Sequence, residues 1–366
     1  MSKKIKVLVL CGGRSPEHSI SLLSAQNVIA SIDQNRFEII AVGIHKTGIW
    51  QYYPNGLDLD HPKDPQKVSL KNKGKEILLS QNYGDHKFFI NDSSSFESIS
   101  YDVIFPVLHG NFGEDGSIQG LCKLMGVPIV GSGLKGSVLS IDKDLMKKIL
   151  IHGNLAVAKS ITVRSFDIQK PIYEDIRKNL GARVYIKPAC LGSSIGVSRA
   201  TNQEEFEKGL AEALRYDDKV LIEEEIVGRE IECAVLGNDD IRASTIGEIK
   251  AATNFYSFEN KYVDAKGAQL TIPADLKESI LQRARTLALK AYKAMECKGL
   301  ARVDMFCLEN GELIINELNT MPGFTNISMY PQLWNHDGLN QMKLITQLIE
   351  LAIERNQKEL NLRQIA

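Results

Sequence analysis

The stretch from residue 299 to 323 constrains this chain more tightly than any other. It opens with Gly299-Leu300-Ala301-Arg302-Val303-Asp304 and closes with Ile314-Ile315-Asn316-Glu317-Leu318-Asn319-Thr320-Met321-Pro322-Gly323. Both halves alternate apolar and polar residues, and Glu309-Asn310-Gly311 between them is a hairpin turn signal. The pattern predicts an antiparallel hairpin with Asp304 and Glu317 on neighbouring strands. Asn319 stands at i+2 from Glu317 and shares its face. Two carboxylates and an amide oxygen are hard ligands that suit Mg²⁺, which relies on water and substrate phosphates for its remaining positions. Arg302, two residues before Asp304, points into the same place. Taken alone, these side chains also fit the solvated face of an edge hairpin, where Asp, Glu and Asn are common.

The length of 366 residues allows two or three domains. Hydrophobic content of 43% and charged content of 24% are ordinary for a globular protein, and the net charge of −1 argues against a nucleic-acid partner. The six cysteines are dispersed, with no CxxC pair and no zinc-type Cys/His spacing, so they read as reduced thiols of a cytoplasmic protein. The run before Cys11 reads as a first buried strand rather than a leader peptide. No 18-residue apolar stretch is present, so no membrane span is expected.

Strands are expected at 4–10 and 37–44, with Leu22, Ala25, Ile29 and Ile32 at helical spacing between them, which makes a β-α-β unit. Residues 51–100 are polar, with weak periodicity, and read as small strands and loops. A further buried strand is expected at 101–108. One helix over about 135–152 opens the next section, followed by strands at 156–163, 184–187, 197–200 and 220–224 and a helix at 203–214. A polar loop at 252–262, a helix at about 276–295, the hairpin and a final helix lined by Leu344, Leu348 and Leu351 complete the chain.

Three further motifs carry chemistry. Lys187-Pro188-Ala189-Cys190-Leu191-Gly192-Ser193-Ser194-Ile195-Gly196-Val197 places a lysine at a strand end before a glycine/serine loop, a phosphate-binding pattern that is not a Walker A sequence. A plain glycine-rich β-hairpin fits it as well. Glu223-Glu224-Glu225-Ile226 after an apolar strand fits either a solvated strand end or a linker that holds an adenine amine and a ribose. Gly12-Gly13-Arg14-Ser15-Pro16-Glu17-His18 follows the first strand at an expected ligand position, and a simple strand-to-helix turn fits it too. It lacks the dinucleotide fingerprint, which argues against an NAD-dependent oxidoreductase.

In this order, the four motifs resemble the D-alanine–D-alanine ligases of the ATP-grasp superfamily. So do Leu108-His109-Gly110, Gly113-Glu114-Asp115-Gly116, Ser140-Ile141-Asp142-Lys143 and the run from Tyr256 to Tyr262, and the resemblance covers essentially the whole chain. It implies an α/β and α+β, three-domain ATP-grasp architecture whose N-terminal domain is Rossmann-like. The units are expected at 1–131, 132–226 (with the phosphate loop) and 227–366 (with the metal site and lid). It implies that Lys143, Lys187 and Lys261 contact the ATP phosphates with Ser193 and Ser194. Glu223, Glu224 and Ile226 would bind adenine, and Glu230 the ribose. Asp304, Glu317 and Asn319 would hold Mg²⁺ or Mn²⁺, two ions in all. Glu17 would receive the first D-alanine's ammonium, with Ser193 and Tyr262 hydrogen-bonding around it, and His109 would lie near its carboxylate. Arg302 and the Gly323 N–H would be oxyanion donors. Ser328, with Met329 beside it, would bind the second D-alanine. A homodimer in the cytoplasm is implied as well. Cys190 departs from the usual polar residue, and the long 51–100 region resembles the larger members.

The implied reaction phosphorylates one D-alanine carboxylate with ATP to a D-alanyl phosphate. The second amine then attacks through a tetrahedral intermediate to give D-alanyl-D-alanine, ADP and phosphate, for peptidoglycan precursor synthesis. Positioning and electrostatics carry such chemistry, and the 252–262 loop would be the lid that excludes water. The alternatives are a D-alanine–D-lactate ligase, against which Tyr262 argues, and another ATP-grasp carboxylate–amine ligase lacking the Glu17/His109/Ser328 set. The remaining one is a nucleotide-binding module without turnover, which would need a broken metal set.

Overall fold

The computed structural model describes residues 3–71, 73–92, 95–167, 171–251 and 268–362. The first strand, β1 (Ile5–Gly12), is apolar over most of its length and almost wholly buried, as a strand covered on both faces must be. Helix α1 (His18–Ser31) crosses over to β2 (Phe37–Ile44), which lies parallel to β1. Strands β3 (Trp50–Tyr53), β6 (Lys75–Leu79), β7 (Lys87–Asp92) and β8 (Ser95–Ser100) extend this sheet outward as an antiparallel meander. The pair β4 (Leu59–Asp60) and β5 (Ser69–Leu70) forms a small ribbon. The 51–100 region therefore holds small strands that widen the first sheet and adds no core of its own.

Strand β9 (Val103–Val107) returns to the other side of β1 and pairs with it in parallel. The sheet order β2-β1-β9 makes the carboxyl end of β1 a topological switch point, where an open α/β sheet leaves a crevice. Gly12 sits there with φ +89, and a Cβ would come 2.3 Å from the Ile44 carbonyl oxygen, so glycine is the residue this close approach permits.

Helices α2 (Ser117–Met125), α3 (Leu134–Ile141) and α4 (Lys143–His152) follow. The sequence predicts one helix over 135–152. The structure divides it, because the Asp142 carboxylate accepts the amides of Asp144 and Leu145, each at 3.1 Å, and so starts a new helix. That break makes Lys143 the first residue of α4.

A four-stranded antiparallel sheet, in the order β10-β13-β11-β12, comes next. It is built from β10 (Ser160–Arg164), β11 (Val184–Pro188), β12 (Ser198–Ala200) and β13 (Lys219–Glu224). Helices α5 (Tyr173–Leu180) and α6 (Gln203–Ala213) pack on it around Tyr173, Ile176 and Phe206. A five-stranded antiparallel sheet completes the set: β14 (Arg229–Gly237), β15 (Arg242–Ala251), β16 (Ala268–Thr271), β17 (Gly299–Cys307) and β18 (Leu313–Asn319), in the order β16-β15-β14-β17-β18. Helix α7 (Glu278–Ala294) covers one face, and α8 (Met329–His336) and α9 (Gln341–Leu360) cover the other.

The first and last parts of the chain share one apolar core. Val7 and Phe105 of the first sheet share one apolar cluster with Leu300, Phe324, Tyr330 and Leu344. Arg355 of α9 also donates to the Ile129 carbonyl at 2.7 Å. The first and last parts of the chain are thus packed against each other, which brings the carboxyl ends of β1 and β9 next to the loop after β18. Among the described residues, no helix is long and apolar enough to cross a membrane, and all six cysteines are free.

Candidate active site

A cavity of about 560 Å³ lies between the four-stranded and five-stranded sheets, ample for a small-molecule ligand. Its lining includes Lys143, Lys187, Ser193, Ser194, Glu223, Glu224, Ile226, Glu230 and Glu317. The structure therefore brings together the sequence-predicted phosphate and base residues that fall in its described parts. Asn316, Tyr185 and Phe306 also line it and were not anticipated. Lys261 and Tyr262 lie outside the described residues, as does the 252–262 loop.

The strands explain the convergence. Lys187, next to last in β11, lies directly beside β13, and its ammonium donates to Glu223 Oε2 at 2.6 Å. Lys147, one turn beyond Lys143 on α4, approaches Glu223 Oε1 at 3.1 Å and donates to the Ala158 carbonyl at 2.9 Å. Burial alone would push the Glu223 carboxyl up, but the two lysines overcome it and hold the group at about 2. Burial also pulls Lys187 down, yet the Glu223 carboxylate leaves it net raised. Burial lowers Lys147, with Glu223 opposing. Lys143 donates to the Leu191 carbonyl at 2.7 Å and lies 3.4 Å from Glu317 Oε2. Glu224 turns its carboxylate to the Lys159 amide at 2.7 Å.

The loop between β11 and β12 is strained. Ser193 and Ser194 both have positive φ, +51 and +58, where a non-glycine residue costs about 1–3 kcal/mol. The strained Ser193 hydroxyl donates to Glu17 Oε1, across the gap between the phosphate loop and the first sheet. Cys190 in the same loop donates its amide to Asp217 at 2.7 Å, and burial pushes its thiol up to about 12, so it is unreactive near neutral pH.

Around Glu17 the first sheet supplies a second group of residues. Glu17, immediately before α1, and Ser21 and Ser24 within it stand at i, i+4 and i+7, a buried polar stripe. His109 is buried, with Nδ1 2.9 Å from the Met321 carbonyl and Nε2 3.2 Å from Ser24 Oγ, and burial lowers its pKa. The Phe324 amide donates to the same Ser24 Oγ at 3.3 Å. Gly110 bends at φ +68, and a Cβ there would come 2.5 Å from Glu17 Oε2. Its amide donates to Glu114 Oε1 at 2.9 Å. Burial, and then the charge of Glu17, push the Glu114 carboxyl up to about 8. Ser328 Oγ accepts from the Thr325 amide at 3.0 Å, and a Cβ on Gly323 would lie 2.8 Å from it. The Met329 side chain instead packs in the core, tight against Gly247.

The hairpin forms as its alternation predicts. Asp304 faces Glu317 across β17 and β18, Arg302 faces Asn319, and a register shift follows Asp304. Arg302 grips both Asp304 oxygens at 2.7 Å and lies 3.0 Å from Glu232. Burial would lower the guanidinium's pKa, but the Asp304 and Glu232 carboxylates leave it raised. Asn319 Oδ1 accepts the Met321 amide at 3.1 Å. Among the described residues, no three of His, Cys, Asp and Glu form a metal-holding group by themselves. The donor set still fits a hard divalent cation that takes its other ligands from phosphate and water. Asp304 and Glu317 are opposed carboxylates, and like charges so placed repel unless a cation lies between them.

Lysines and carboxylates meeting in a nucleotide-sized cavity between two antiparallel sheets, beside a Rossmann-like sheet, define an ATP-grasp protein. Two family models match the chain: "D-ala D-ala ligase N-terminus" over residues 6–132 and "D-ala D-ala ligase C-terminus" over 150–350. The D-alanine–D-alanine ligase of Oceanobacillus iheyensis is 45% identical over 361 residues, covering 98% of both chains. The Escherichia coli enzyme named D-alanine–D-alanine ligase A is 41% identical over 355 residues, covering 97% of each. Among solved structures, the D-alanine–D-alanine ligase of Coxiella burnetii superposes with a TM-score of 0.82 at 34% identity, over 98% of both chains. The VanG D-Ala:D-Ser ligase of Enterococcus faecalis gives 0.83 at 33% identity, over 96% of this chain and 100% of the other. The chain belongs to the D-alanine–D-alanine ligase family, and it is a ligase.

Proposed function

We propose that this protein joins two D-alanines, using ATP, to make D-alanyl-D-alanine for peptidoglycan precursor synthesis. One observation carries the reading: the Ser193–Glu17 hydrogen bond joins the inner end of the nucleotide cavity to the switch point of the first sheet. In this reading a phosphoryl donor and a small amino acid lie side by side across that bond.

The proposal gives each residue a part. Lys143 and Lys187, with Ser193 and Ser194, hold the phosphates, while Glu223, Glu224, Ile226 and Glu230 line the base and ribose end. Lys261 and Tyr262 belong to the lid in this reading. Asp304, Glu317 and Asn319 would hold Mg²⁺ or Mn²⁺, which when bound neutralises phosphate charge. Glu17 receives the first D-alanine's ammonium and His109 stands near its carboxylate. Ser24 fixes the imidazole and the backbone after Gly323 at once. Arg302 and the Gly323 N–H face the oxygen on which charge develops when the second amine attacks the acyl phosphate. Losing one such donor typically costs ~2.7–4 kcal/mol. Ser328 receives the second D-alanine's carboxylate. Units at 1–131, 132–226 and 227–366, a homodimer and a cytoplasmic location complete the proposal.

The test is product analysis with ATP, Mg²⁺ and D-alanine in competition with D-lactate and D-serine at neutral pH. D-Alanyl-D-alanine should dominate. Mainly depsipeptide or mainly D-alanyl-D-serine would reassign the second substrate and leave the fold intact.

A further inference from the structure

Three acidic side chains stand in one row across the five-stranded sheet. Glu232 on β14 is in register with Asp304 on β17, which is in register with Glu317 on β18. Residues so paired have Cβ atoms ~4.5–5.5 Å apart, and like charges there repel. Two cations are set against the row. Lys143 lies 3.4 Å from Glu317. Arg302 lies between the other two, with Nε 3.0 Å from Glu232 Oε2 and 2.7 Å from Asp304 Oδ1. Glu232 and Arg302 are both withdrawn from solvent, with side chains 7% and 15% exposed.

We propose that Glu232 is a positioning residue for Arg302, the fixed carboxylate that keeps the guanidinium aimed while Asp304 serves the metal. The inference rests on the ligase reading above and on Arg302 as an oxyanion donor. Arg302 now occupies both oxygens of Asp304. A divalent cation at Asp304 draws on those same lone pairs, so the Asp304–Arg302 fork weakens when the site is filled. A guanidinium held out of water needs a counter-charge that stays in place, because an uncompensated buried charge is costly. Glu232 meets that need. The strand order β14-β17-β18 puts it on the side of Asp304 away from Glu317, clear of the residues that would share the ion. It stands 3.0 Å from Nε as a counter-charge, while Nε and NH2 both direct their hydrogens to Asp304.

The test compares the wild type with Glu232→Gln, which keeps the shape and removes the charge, and Glu232→Asp, which keeps the charge. It measures steady-state kinetics, Mn²⁺ affinity by electron paramagnetic resonance, and binding of a phosphinate dipeptide that mimics the tetrahedral intermediate. Glu232→Gln should lower kcat about 10²-fold, the scale of a misplaced catalytic group. It should weaken the phosphinate by a similar factor and leave the ATP KM and Mn²⁺ affinity unchanged, with Glu232→Asp recovering most of the loss. Wild-type kcat and phosphinate affinity in Glu232→Gln would overturn the inference. Loss of Mn²⁺ binding would overturn it by making Glu232 a metal ligand. Equal losses in both variants with a lowered melting temperature would reduce Glu232 to a structural acid. A wild type with no D-alanine-dependent turnover would bring down the ligase reading itself, and the inference with it.

Discussion

Lys187 is bound to Glu223 at 2.6 Å inside the cavity, where the proposed function assigns its ammonium to phosphate. In that proposal ATP shares this lysine with the carboxylate or takes it away. Lys147, 3.1 Å away on the other oxygen, is what keeps Glu223 from being left as a bare buried charge. Lys147→Met should raise the ATP KM at least about tenfold, since each 1.4 kcal/mol lost is a factor of ten, and leave the D-alanine KM nearly unchanged. Initial-rate kinetics varying each substrate in turn check this, and equal effects on both KM values would argue against it.

The same carboxylate shapes acid stability. Glu223 titrates at about 2 when folded, against an ordinary 4.5, so its stabilisation is present above pH 4.5 and is lost as pH falls toward 2. Glu114 works in the opposite direction. It titrates at about 8 in the fold against 4.5 unfolded, so the folded state binds the extra proton and stability falls as pH rises from 4.5 to 8. One proton corresponds to ~1.4 kcal/mol per pH unit over that window. Glu114→Gln should flatten this slope. Denaturant titrations from pH 5 to 9 in the presence of a chelator check it, and parallel slopes for the variant and the wild type would refute the assignment.

Asp304→Asn and Glu317→Gln should each reduce turnover by orders of magnitude at limiting Mg²⁺ while the fold persists, because a neutral amide binds a hard cation far more weakly than a carboxylate. Mn²⁺ affinity should fall in parallel. Near-normal turnover in both variants, with circular dichroism unchanged, would move the metal elsewhere.

The part of the site built from strands was legible in the sequence because strand alternation fixes which side chains share a face. Asp304 and Glu317 were placed opposite each other from that alternation and one turn signal, and the structure pairs them in register. Glu232 was not legible. It reaches Asp304 through the pairing of β14 with β17, far apart in sequence, and no local pattern announces such a partner. Lys147 was readable, since it lies one turn from Lys143, yet only the position of Glu223 gives it a purpose. The single helix expected over 135–152 failed because apolar spacing runs through Asp142 and hides its role as a cap. Helix α5 was missed although Tyr173, Ile176 and Leu180 form a helical stripe, because polar residues crowd the segment. The shared core of the first and last parts depends on tertiary packing, which no periodicity records.

The most direct measurement is phosphate release from ATP and Mg²⁺ by the purified protein with D-alanine, compared with L-alanine at the same concentration. The account predicts release that depends on D-alanine, is coupled one-to-one to dipeptide, and is near background with L-alanine. Release that ignores the amino acid, or that responds equally to both enantiomers, would contradict it.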